Sequence, residues 1–421
     1  MKKIYPMPSF SLRMKRVFDK ILNRKSIQPP TFDFRLIVQV VSHVEKLLNN
    51  RLRKAEESLI RKFSLRALEL GAAHMLTLGE PDFDTPTEIK QSTAHALESG
   101  KTSYGLSYGN ETLRQKIATY ETRLNNVSYE PAEIVVTTGA TESLTVALMT
   151  MLNPGDEVIN LIPTYPLYKN VVTFAGGKMV NIDISKNNFQ LEKEMLDAAI
   201  TEKTKVIILT SPNNPTGTIL SDESLEVVYQ AVKKHQFFVI SDEVYNQLVY
   251  TKRRLGFSKY QDIRDYIIVC QSFSKPYAMT GWRLGYLMGP LWFIREAMKV
   301  HQYMVLAANT FVQYGGITAL DYDVTAMVQS YQLRRDYVAE RLLKMGLEFP
   351  EPEGAFYIFP SIAKYGLKSW EFCEKLVLAE AVALVPGICF EADDHIRISY
   401  CVEMKTLTAG LDGLERFIGT L

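Results

Sequence analysis

The feature of this sequence that most restricts its fold is a regular alternation of short β-branched runs with helical stretches, which begins near residue 160. Apolar runs occur at residues 205–209, 237–241 and 266–270, and a helical pattern over residues 221–235 separates the first two. That pattern begins with Ser221, a good N-cap residue, and has Glu223 and Glu226 near its start. Alternation of this kind is typical of βα units. The sequence therefore predicts an α/β fold with a mostly parallel sheet.

The charge and cysteine content exclude several classes of protein. The 421 residues carry 48 Lys and Arg against 47 Asp and Glu, so the basic excess of a nucleic-acid-binding protein is missing. The cysteines Cys270, Cys373, Cys389 and Cys401 lie far apart, which predicts neither a metal site nor disulfides. Every apolar run is much shorter than the roughly 20 residues of a membrane-spanning helix. We therefore expect a cytoplasmic protein without nucleic-acid or membrane partners.

The amino-terminal residues differ in composition from the rest. Residues 1–25 are rich in Lys and Arg and contain Asp19 as their one acidic residue. Residues 34–52 place apolar side chains at helical spacing. Residues 1–55 are therefore predicted to form a basic extension with one helix, and no function is assigned to them.

Polar side chains follow three neighbouring apolar runs, at the points where the predicted strands end. In open α/β sheets, ligands bind at the carboxyl ends of the strands. Each motif alone is more typical of a turn, a helix start or a surface lysine. Together they supply the amide, carboxylate, phenol, hydroxyl and cationic groups that pyridoxal phosphate requires. These residues are Asn214, Asp242, Tyr245, Ser272, Ser274, Lys275 and Arg283.

Several motifs in a fixed order identify the family that the chain resembles. They are LTLGEPDFDTP at 76–86, Tyr104 with Gly109, TGATE at 138–142, PGDE at 154–157, NPTG at 214–217, Ser274-Lys275 and RISY at 397–400. With them, residues 56–421 resemble the class I and II aminotransferases, which are pyridoxal-phosphate enzymes of fold type I. The resemblance implies an enzyme that moves an amino group from an amino acid to a 2-oxo acid.

The resemblance also implies roles around the cofactor ring. Lys275 is expected to hold pyridoxal phosphate covalently and, once the substrate amine displaces it, to move the proton at Cα. Asp242 is expected to pair with the pyridine nitrogen and keep it protonated. Asn214 and Tyr245 would bind the 3′-oxygen, and Tyr165 would stack on the ring. Lys275, Asp242 and Tyr245 are thus the implied catalytic residues.

The cofactor phosphate needs amides at a helix start, hydroxyls and a cation. By resemblance, these come from Gly139, Ala140, Thr141, Ser272, Ser274 and Arg283. Tyr104 is expected to reach the phosphate of the neighbouring subunit. Glu142 departs from the neutral polar residue that is more usual at its position.

Substrate contacts follow from the same resemblance. Arg397 is expected to clamp the α-carboxylate in a bidentate way, beside Asn214 and Gly79. Tyr108 and Tyr357 are expected to line the pocket mouth, where donors would be discriminated.

The implied architecture has two domains. Residues 100–305 would form a large cofactor-binding domain around a mostly parallel seven-stranded sheet. Residues 56–99 and 306–421 would form the two parts of a small α/β domain. The resemblance further implies a homodimer with its active sites at the subunit boundary.

A narrower resemblance suggests the substrates. SLIRKF at 58–63, VHQY at 300–303, MGL at 345–347 and GAFYIFP at 354–360 are similar to the bacterial branch of aromatic-amino-acid and N-acetyl-L,L-diaminopimelate aminotransferases. This branch implies 2-oxoglutarate as acceptor and an aromatic amino acid or N-acetyl-diaminopimelate as donor.

Two other classes of protein share the cofactor residues, a carbon–sulfur β-lyase and a pyridoxal-phosphate-sensing transcription regulator. The regulator would need a helix-turn-helix domain, and residues 1–50 give one helix only.

Overall fold

The computed structural model describes residues 47–251 and 256–421, of which Glu57–Leu421 form one compact unit. Before it, residues 47–51 form turns and Leu52–Lys54 a 3-10 helix. The helix predicted over residues 34–52 lies mainly outside the described residues. Twelve α-helices follow in the described part, and none of them is long and apolar enough to cross a membrane. They are α1 Leu59–Glu69, α2 Thr87–Glu98, α3 Glu111–Asn125, α4 Ala140–Met151, α5 Leu167–Ala175, α6 Lys193–Ala199, α7 Asp222–His235, α8 Leu291–Met304, α9 Thr310–Ala319, α10 Thr325–Lys344, α11 Ser369–Glu380 and α12 Met404–Ile418.

The strands form three sheets. They are β1 His74–Met75, β2 Ile134–Thr137, β3 Glu157–Ile162, β4 Lys178–Asp183, β5 Thr204–Thr210, β6 Phe238–Asp242, β7 Ile267–Ser272, β8 Gly285–Met288, β9 Tyr357–Ile358, β10 Val382–Ala383, β11 Val385–Pro386 and β12 Ile396–Ser399. The largest sheet has seven strands in the order β2-β8-β7-β6-β5-β3-β4. Only β8 runs against its neighbours there. The mostly parallel seven-stranded sheet of the predicted fold is therefore confirmed.

The strands at the centre of this sheet are apolar because both of its faces are covered. Along β5, Val206 and Ile208 pack in the core that contains α4, α5 and α8, whereas Ile207 and Leu209 pack in the core on the opposite face. Such strands have near-continuous apolar runs instead of alternating ones. Helix α7 lies between β5 and β6, and the side chain of its N-cap Ser221 accepts a hydrogen bond from the amide of Ser224 at 3.1 Å. The predicted strands and helix of this region are present within one or two residues.

A further core joins distant parts of the chain. Phe63 of α1 packs there with Phe372 of α11 and Leu411 of α12. The three-stranded sheet β11-β12-β9 belongs to the same region, and β1 pairs with β10 in parallel. This arrangement brings α1 and β1 beside the carboxyl-terminal third of the chain. It also places Arg397 of β12 next to Asn214, in the loop that follows β5.

Candidate active site

A cavity of about 770 Å³ lies where β5, β6 and β7 end. The last residues of these strands, Thr210, Asp242 and Ser272, all line it, as expected for ligand sites in parallel sheets. Most residues singled out from the sequence line this cavity as well. They are Gly79, Ala140, Thr141, Tyr165, Asn214, Asp242, Tyr245, Ser272, Ser274, Lys275, Arg283, Tyr357 and Arg397.

Asp242 is buried, with 4% of its surface exposed, and is held by a phenol. The hydroxyl of Tyr168 donates to its Oδ2 at 2.6 Å, and Tyr168 also shares a hydrogen bond with Thr210. Burial raises the pKa of Asp242 to about 6, and the Tyr168 hydrogen bond opposes that rise. A cationic N–H group next to a buried carboxylate of this kind would stabilise its charged form.

Lys275 follows β7 and extends into the same cavity. Its Nζ donates to the carbonyl of Gly79 and lies 5.9 Å from the centroid of the Phe356 ring. Burial of the amine lowers its pKa to about 8, although the residue as a whole keeps partial exposure. An amine of this kind is partly neutral near pH 7 and can act as a nucleophile.

Arg397, on β12, is 2% exposed and is held without a carboxylate. Its Nη1 donates to Oδ1 of Asn214 and its Nη2 to the carbonyl of Thr77, each at 2.9 Å. The guanidinium lies 4.4 Å from the ring centroid of Tyr357 and 4.9 Å from that of Phe390. Its Nε is buried and has no hydrogen-bond partner among the described residues. A buried cation with a free donor is suited to bind a carboxylate.

Helix α4 begins at the cavity with Gly139 as its N-cap residue. The φ of Gly139 is +96°, and a Cβ added there would lie 2.8 Å from Nη2 of Arg283. The first amides of a helix have no partner within the helix. Ser272 is close to this region, and its hydroxyl accepts a hydrogen bond from the amide of Ser274 at 3.0 Å. Amides, hydroxyls and a guanidinium are the groups that bind phosphate.

Glu142, whose surroundings the sequence left open, takes part in a buried hydrogen-bond chain. Its carboxylate accepts from the amide and the hydroxyl of Thr138 at 2.5 and 2.7 Å, and its other oxygen lies 2.6 Å from Nδ1 of His301 on α8. The Nε2 of His301 lies 2.9 Å from the carbonyl of Ser107. Burial and these hydrogen bonds act in opposite directions on the Glu142 carboxyl, and its pKa is lowered. The chain links the first turn of α4 to the segment that contains Tyr104.

Three of the residues singled out from the sequence do not line the cavity, namely Gly139, which immediately precedes the lining residue Ala140, Tyr104 and Tyr108. Tyr104 is 90% exposed. Tyr108 packs beside the large sheet, with the Arg114 guanidinium 5.7 Å from its ring centroid. Tyr357 lines the cavity, whereas Tyr108 does not, and the pocket-mouth role expected for Tyr108 stays a prediction.

Sequence reasoning missed other residues of the cavity. Tyr168 was missed because it lies in the apolar helix α5, where a tyrosine is usually a core residue. Thr77 was inside a quoted motif, but its part in holding Arg397 depends on contacts between distant segments. Arg61 was also inside a quoted motif. A basic side chain in the first turn of a helix is electrostatically unfavourable, and that signal could have identified it.

The residues around the cavity fit pyridoxal phosphate. Two buried donors that border it, Nε of Arg397 and Oγ1 of Thr77, have no partner among the described residues, which indicates an anionic ligand. The space that Gly139 leaves for Arg283 provides an anion cradle at the start of α4. Lys275 and Asp242 then face the same cavity as this cradle. The set contains an amine, a carboxylate and an anion site, as the cofactor requires.

Known proteins are similar to this chain in sequence and in fold. Residues 74–414 match the protein family described as aminotransferase class I and II. A Bacillus subtilis protein named "Probable N-acetyl-LL-diaminopimelate aminotransferase" is 39% identical over 381 residues, which is 89% of this chain and 96% of that protein. The crystal structure of aspartate aminotransferase from Thermotoga maritima has a TM-score of 0.84 at 35% identity, covering 88% of this chain and 100% of that one. An aromatic aminotransferase from Pyrococcus horikoshii has a TM-score of 0.80 at 36% identity, covering 84% and 98%.

These matches span most of the chain, and the cavity contains the groups that amino transfer needs. The chain therefore belongs to the class I and II aminotransferase family and is a pyridoxal-phosphate-dependent transaminase that uses amino acids and 2-oxo acids as substrates.

Proposed function

We propose that the cavity is the active site and that its residues have the roles that the family resemblance implies. One observation carries this proposal: Lys275, Asp242, Arg283 and Arg397, which come from distant parts of the chain, all line the same cavity. When bound, pyridoxal phosphate supplies an aldehyde and a ring that withdraws electrons from the reacting carbon. The residues of the chain bind it, orient the substrate and move the proton.

Lys275 holds the aldehyde carbon through Nζ and later moves the proton at the substrate Cα. Its lowered pKa of about 8 supports this role, because a fully charged amine can neither attack nor accept a proton. Asp242 holds the proton of the ring nitrogen. Its buried carboxylate gains an ionic partner in that way, which Tyr168 does not provide.

The remaining ring and phosphate contacts follow from the positions of the donors. Asn214 uses its oxygen to bind Arg397, which leaves its NH₂ group to donate to the 3′-oxygen together with Tyr245. Tyr165 lines the cavity and is 37% exposed, which supports a stacking role for its ring. The first turn of α4 would hold the cofactor phosphate. The groups that bind it there are Gly139, Ala140, Thr141, Ser272, Ser274 and Arg283.

Arg397 binds the substrate α-carboxylate, beside Gly79 and Asn214. The unpartnered Nε supports this role, because a carboxylate can bind Nε and one Nη at once. We further propose 2-oxoglutarate as the acceptor, and an aromatic amino acid or N-acetyl-diaminopimelate as the donor. The similarity to relatives named for both donors supports this choice.

We also propose that the enzyme is a cytoplasmic homodimer. The nearly full exposure of Tyr104 supports a role of this ring in the phosphate site of the partner subunit, because the side chain is free to contact another subunit. Four free, buried cysteines are in keeping with a reducing compartment.

The domain boundaries at residues 55, 99 and 305 belong to the same proposal. The core that contains Phe63, Phe372 and Leu411 supports a small domain made from both ends of residues 56–421.

The proposal is tested with a panel of donors and acceptors on the holoenzyme. The cofactor spectrum is followed through single half-reactions with aromatic amino acids, N-acetyl-diaminopimelate and aspartate, each regenerated with 2-oxoglutarate. Borohydride reduction and peptide mapping identify the labelled lysine. We expect the label on Lys275 and fast half-reactions with one of the proposed donors. A label on another lysine, or release of pyruvate and thiol from cystathionine without amino transfer, would contradict the proposal.

A further inference from the structure

A buried pair of ionisable side chains lies next to the start of α4 and outside the cavity. Glu142, in the first turn of α4, is 5% exposed, and His301, on α8, is fully buried. The Nδ1 of His301 lies 2.6 Å from one carboxylate oxygen of Glu142. Neither residue lines the cavity, and the roles proposed above use neither of them. Ionisable side chains are seldom buried this completely without a partner, so each of the two depends on the other.

The contacts around His301 determine where its ring protons lie. Its Nε2 is 2.9 Å from the backbone carbonyl of Ser107, which can only accept a hydrogen bond, so Nε2 carries a proton. Glu142 accepts hydrogen bonds from the amide and the hydroxyl of Thr138. Burial acts to raise the pKa of Glu142, but the hydrogen bonds from His301 and Thr138 lower it overall. The carboxylate is therefore ionised, and it can accept from Nδ1 only if that nitrogen is protonated too, which makes the ring an imidazolium.

The pair lies close to the proposed phosphate site. Ala140 and Thr141, which immediately precede Glu142 in the first turn of α4, line the cavity. One helical turn is about 5.4 Å long, so an unpaired carboxylate in this turn would repel a phosphate bound at the same helix start. The imidazolium of His301 offsets that negative charge without entering the cavity. The neutral polar residue that is more usual at position 142 would need no such cation.

The pair also fixes the backbone of distant segments. On one side, Glu142 holds Thr138, the residue before the N-cap Gly139. On the other side, His301 holds the carbonyl of Ser107, in the connection between α2 and α3. The start of α4, helix α8 and this connection are thus joined through two side chains. A change in the charge of either side chain would act on the helix start that carries the proposed phosphate site.

We propose that Glu142 and His301 are positioning residues that keep the start of α4 able to bind the cofactor phosphate, as a carboxylate–imidazolium pair without net charge. The inference rests on the proposed phosphate site and extends it beyond the cavity lining. Loss of the imidazolium would leave a buried negative charge in the turn that has to accept an anion. Loss of the carboxylate would leave no such charge, because an imidazole can release its proton. The two substitutions should therefore have unequal effects.

The test compares pyridoxal phosphate with pyridoxal, which lacks the phosphate. Spectroscopic titration of the full-length protein at neutral pH gives a dissociation constant for each ligand. The variants are His301→Gln, Glu142→Gln and the double variant. Arg264→Gln is the matched control, because it removes the guanidinium that lies 2.9 Å from the carboxylate of Glu133. Glu133 precedes β2, whereas Thr138 follows it, and neither member of the control pair lines the cavity.

We expect His301→Gln to weaken binding of pyridoxal phosphate by about tenfold or more and binding of pyridoxal by less than about threefold. Glu142→Gln should stay within about threefold of the wild type for both ligands. The double variant should recover most of the loss, because it contains no unpaired charge. Arg264→Gln should lower the urea midpoint and leave both affinities unchanged. A double variant that binds no better than His301→Gln, or an equal loss for both ligands, would overturn the inference.

The charge of the pair can also be observed without a change at residue 301. Nitrogen NMR of the holoenzyme with isotope-labelled histidines should show, at neutral pH, an imidazole with both ring nitrogens protonated, and Glu142→Gln should abolish that signal. A spectrum without such an imidazole would overturn the inference, even if His301→Gln did not fold. A wild-type protein that binds pyridoxal as tightly as pyridoxal phosphate would instead contradict the proposed phosphate site.

Discussion

At the level of single residues, the cations of the cavity are kept apart from its carboxylate. Lys275 and Arg397 donate to backbone carbonyls, and Asp242 accepts from Tyr168. Each of these groups is therefore held in position by a neutral group and, among the residues that the structure describes, has no oppositely charged side chain that would compete with a ligand. The single hydrogen bond from Tyr168 therefore has a direct effect on the pKa of Asp242.

Tyr168→Phe is expected to change the pH dependence of cofactor binding. The lost hydrogen bond lowers the pKa of Asp242 in the wild type, so the variant should have a pKa above the value of about 6. The carboxylate would then be protonated at a higher pH, and the acidic limb of cofactor affinity should move up by about half to one pH unit. Spectroscopic titration with pyridoxal phosphate over a pH series measures this shift.

Asp242→Asn is the comparison for that experiment, because it removes the titrating group. The cofactor affinity of this variant should no longer change at acidic pH through titration of residue 242. Coincident profiles for Tyr168→Phe and the wild type would mean that Tyr168 does not control the carboxylate.

Residues that follow strands were the ones that sequence reasoning could identify. Asp242 is the last residue of β6 and Lys275 lies shortly after the end of β7, and the topology of a parallel sheet brings such positions together. Tyr168 and Thr77 could not be assigned in this way. Their roles depend on hydrogen bonds to residues 74 and 320 positions away, and no local pattern encodes these contacts.

At the level of elements, the junction between β2 and α4 determines the anion cradle. The chain passes from Thr137 to the first turn of α4 through Gly139, whose positive φ allows the close approach of Arg283. Behind this turn, Glu142 and His301 join α4 to α8. The sequence predicted the helix start, but the contact between α4 and α8 spans 159 residues and could not be predicted from either helix alone.

Gly139→Ala is expected to damage both stability and anion binding, and Gly155→Ala separates these two effects. Both glycines have a φ above +90°, but a Cβ at Gly155 would meet nothing within 4 Å. Each substitution should cost about 1 to 3 kcal/mol of unfolding free energy from backbone strain. Only Gly139→Ala should also weaken cofactor binding, by about tenfold or more, because the new Cβ displaces Arg283.

Urea unfolding of the apoprotein and titration with pyridoxal phosphate give the two quantities for each variant. Equal cofactor affinities in the two variants would show that the space at Gly139 is not needed by Arg283.

At the level of the whole molecule, the cavity is formed by more than one core. The large sheet contributes Asp242 and Ser272, whereas the core around Phe63 is continuous with Tyr357 and the strand of Arg397. The sheet could be predicted from hydrophobic periodicity. The joining of α1 to the carboxyl-terminal third was accessible through family resemblance only, since short strands such as β9 and β10 have no distinct pattern.

Mixed dimers should reveal whether Tyr104 acts on the partner subunit. Lys275→Ala and Tyr104→Ala should each be strongly impaired alone. In a hybrid dimer, the subunit with Lys275 would receive Tyr104 from its partner, so one site would be complete. Co-refolding equal amounts of the two variants should make about half of the dimers hybrids, each with one complete site of two. About a quarter of the wild-type activity should therefore be restored. Activity no higher than that of the separate variants would place Tyr104 in its own subunit's site or outside both.

The stability of the whole protein should fall as the pH rises, owing to Glu243. This carboxyl is 2% exposed, and burial, together with the nearby Glu121, raises its pKa to about 8. The folded state thus holds a proton that the unfolded chain releases near its ordinary value of 4.5. The stabilisation is complete at pH values below the unfolded pKa and is lost as the pH increases towards about 8.

Glu243→Gln should remove this dependence and increase the unfolding free energy at mildly alkaline pH by about 1 to 3 kcal/mol. Urea unfolding over a pH series measures the effect, with Glu98→Gln on the exposed side of α2 as the control. A parallel pH dependence in the wild type and in Glu243→Gln would contradict it.

The backbone segment that holds both Arg397 and Lys275 has a consequence for ligand selection. Thr77 and Gly79 are two residues apart, and their carbonyls accept hydrogen bonds from these two cations. A ligand that draws either cation away exchanges one hydrogen bond for another, and a buried carbonyl left without a donor costs about 1 to 3 kcal/mol. A ligand with a single anionic group can replace only one of the two hydrogen bonds. Ligand binding is therefore selective before any substrate side chain is recognised. It favours ligands that replace the hydrogen bonds of both Arg397 and Lys275 in one step.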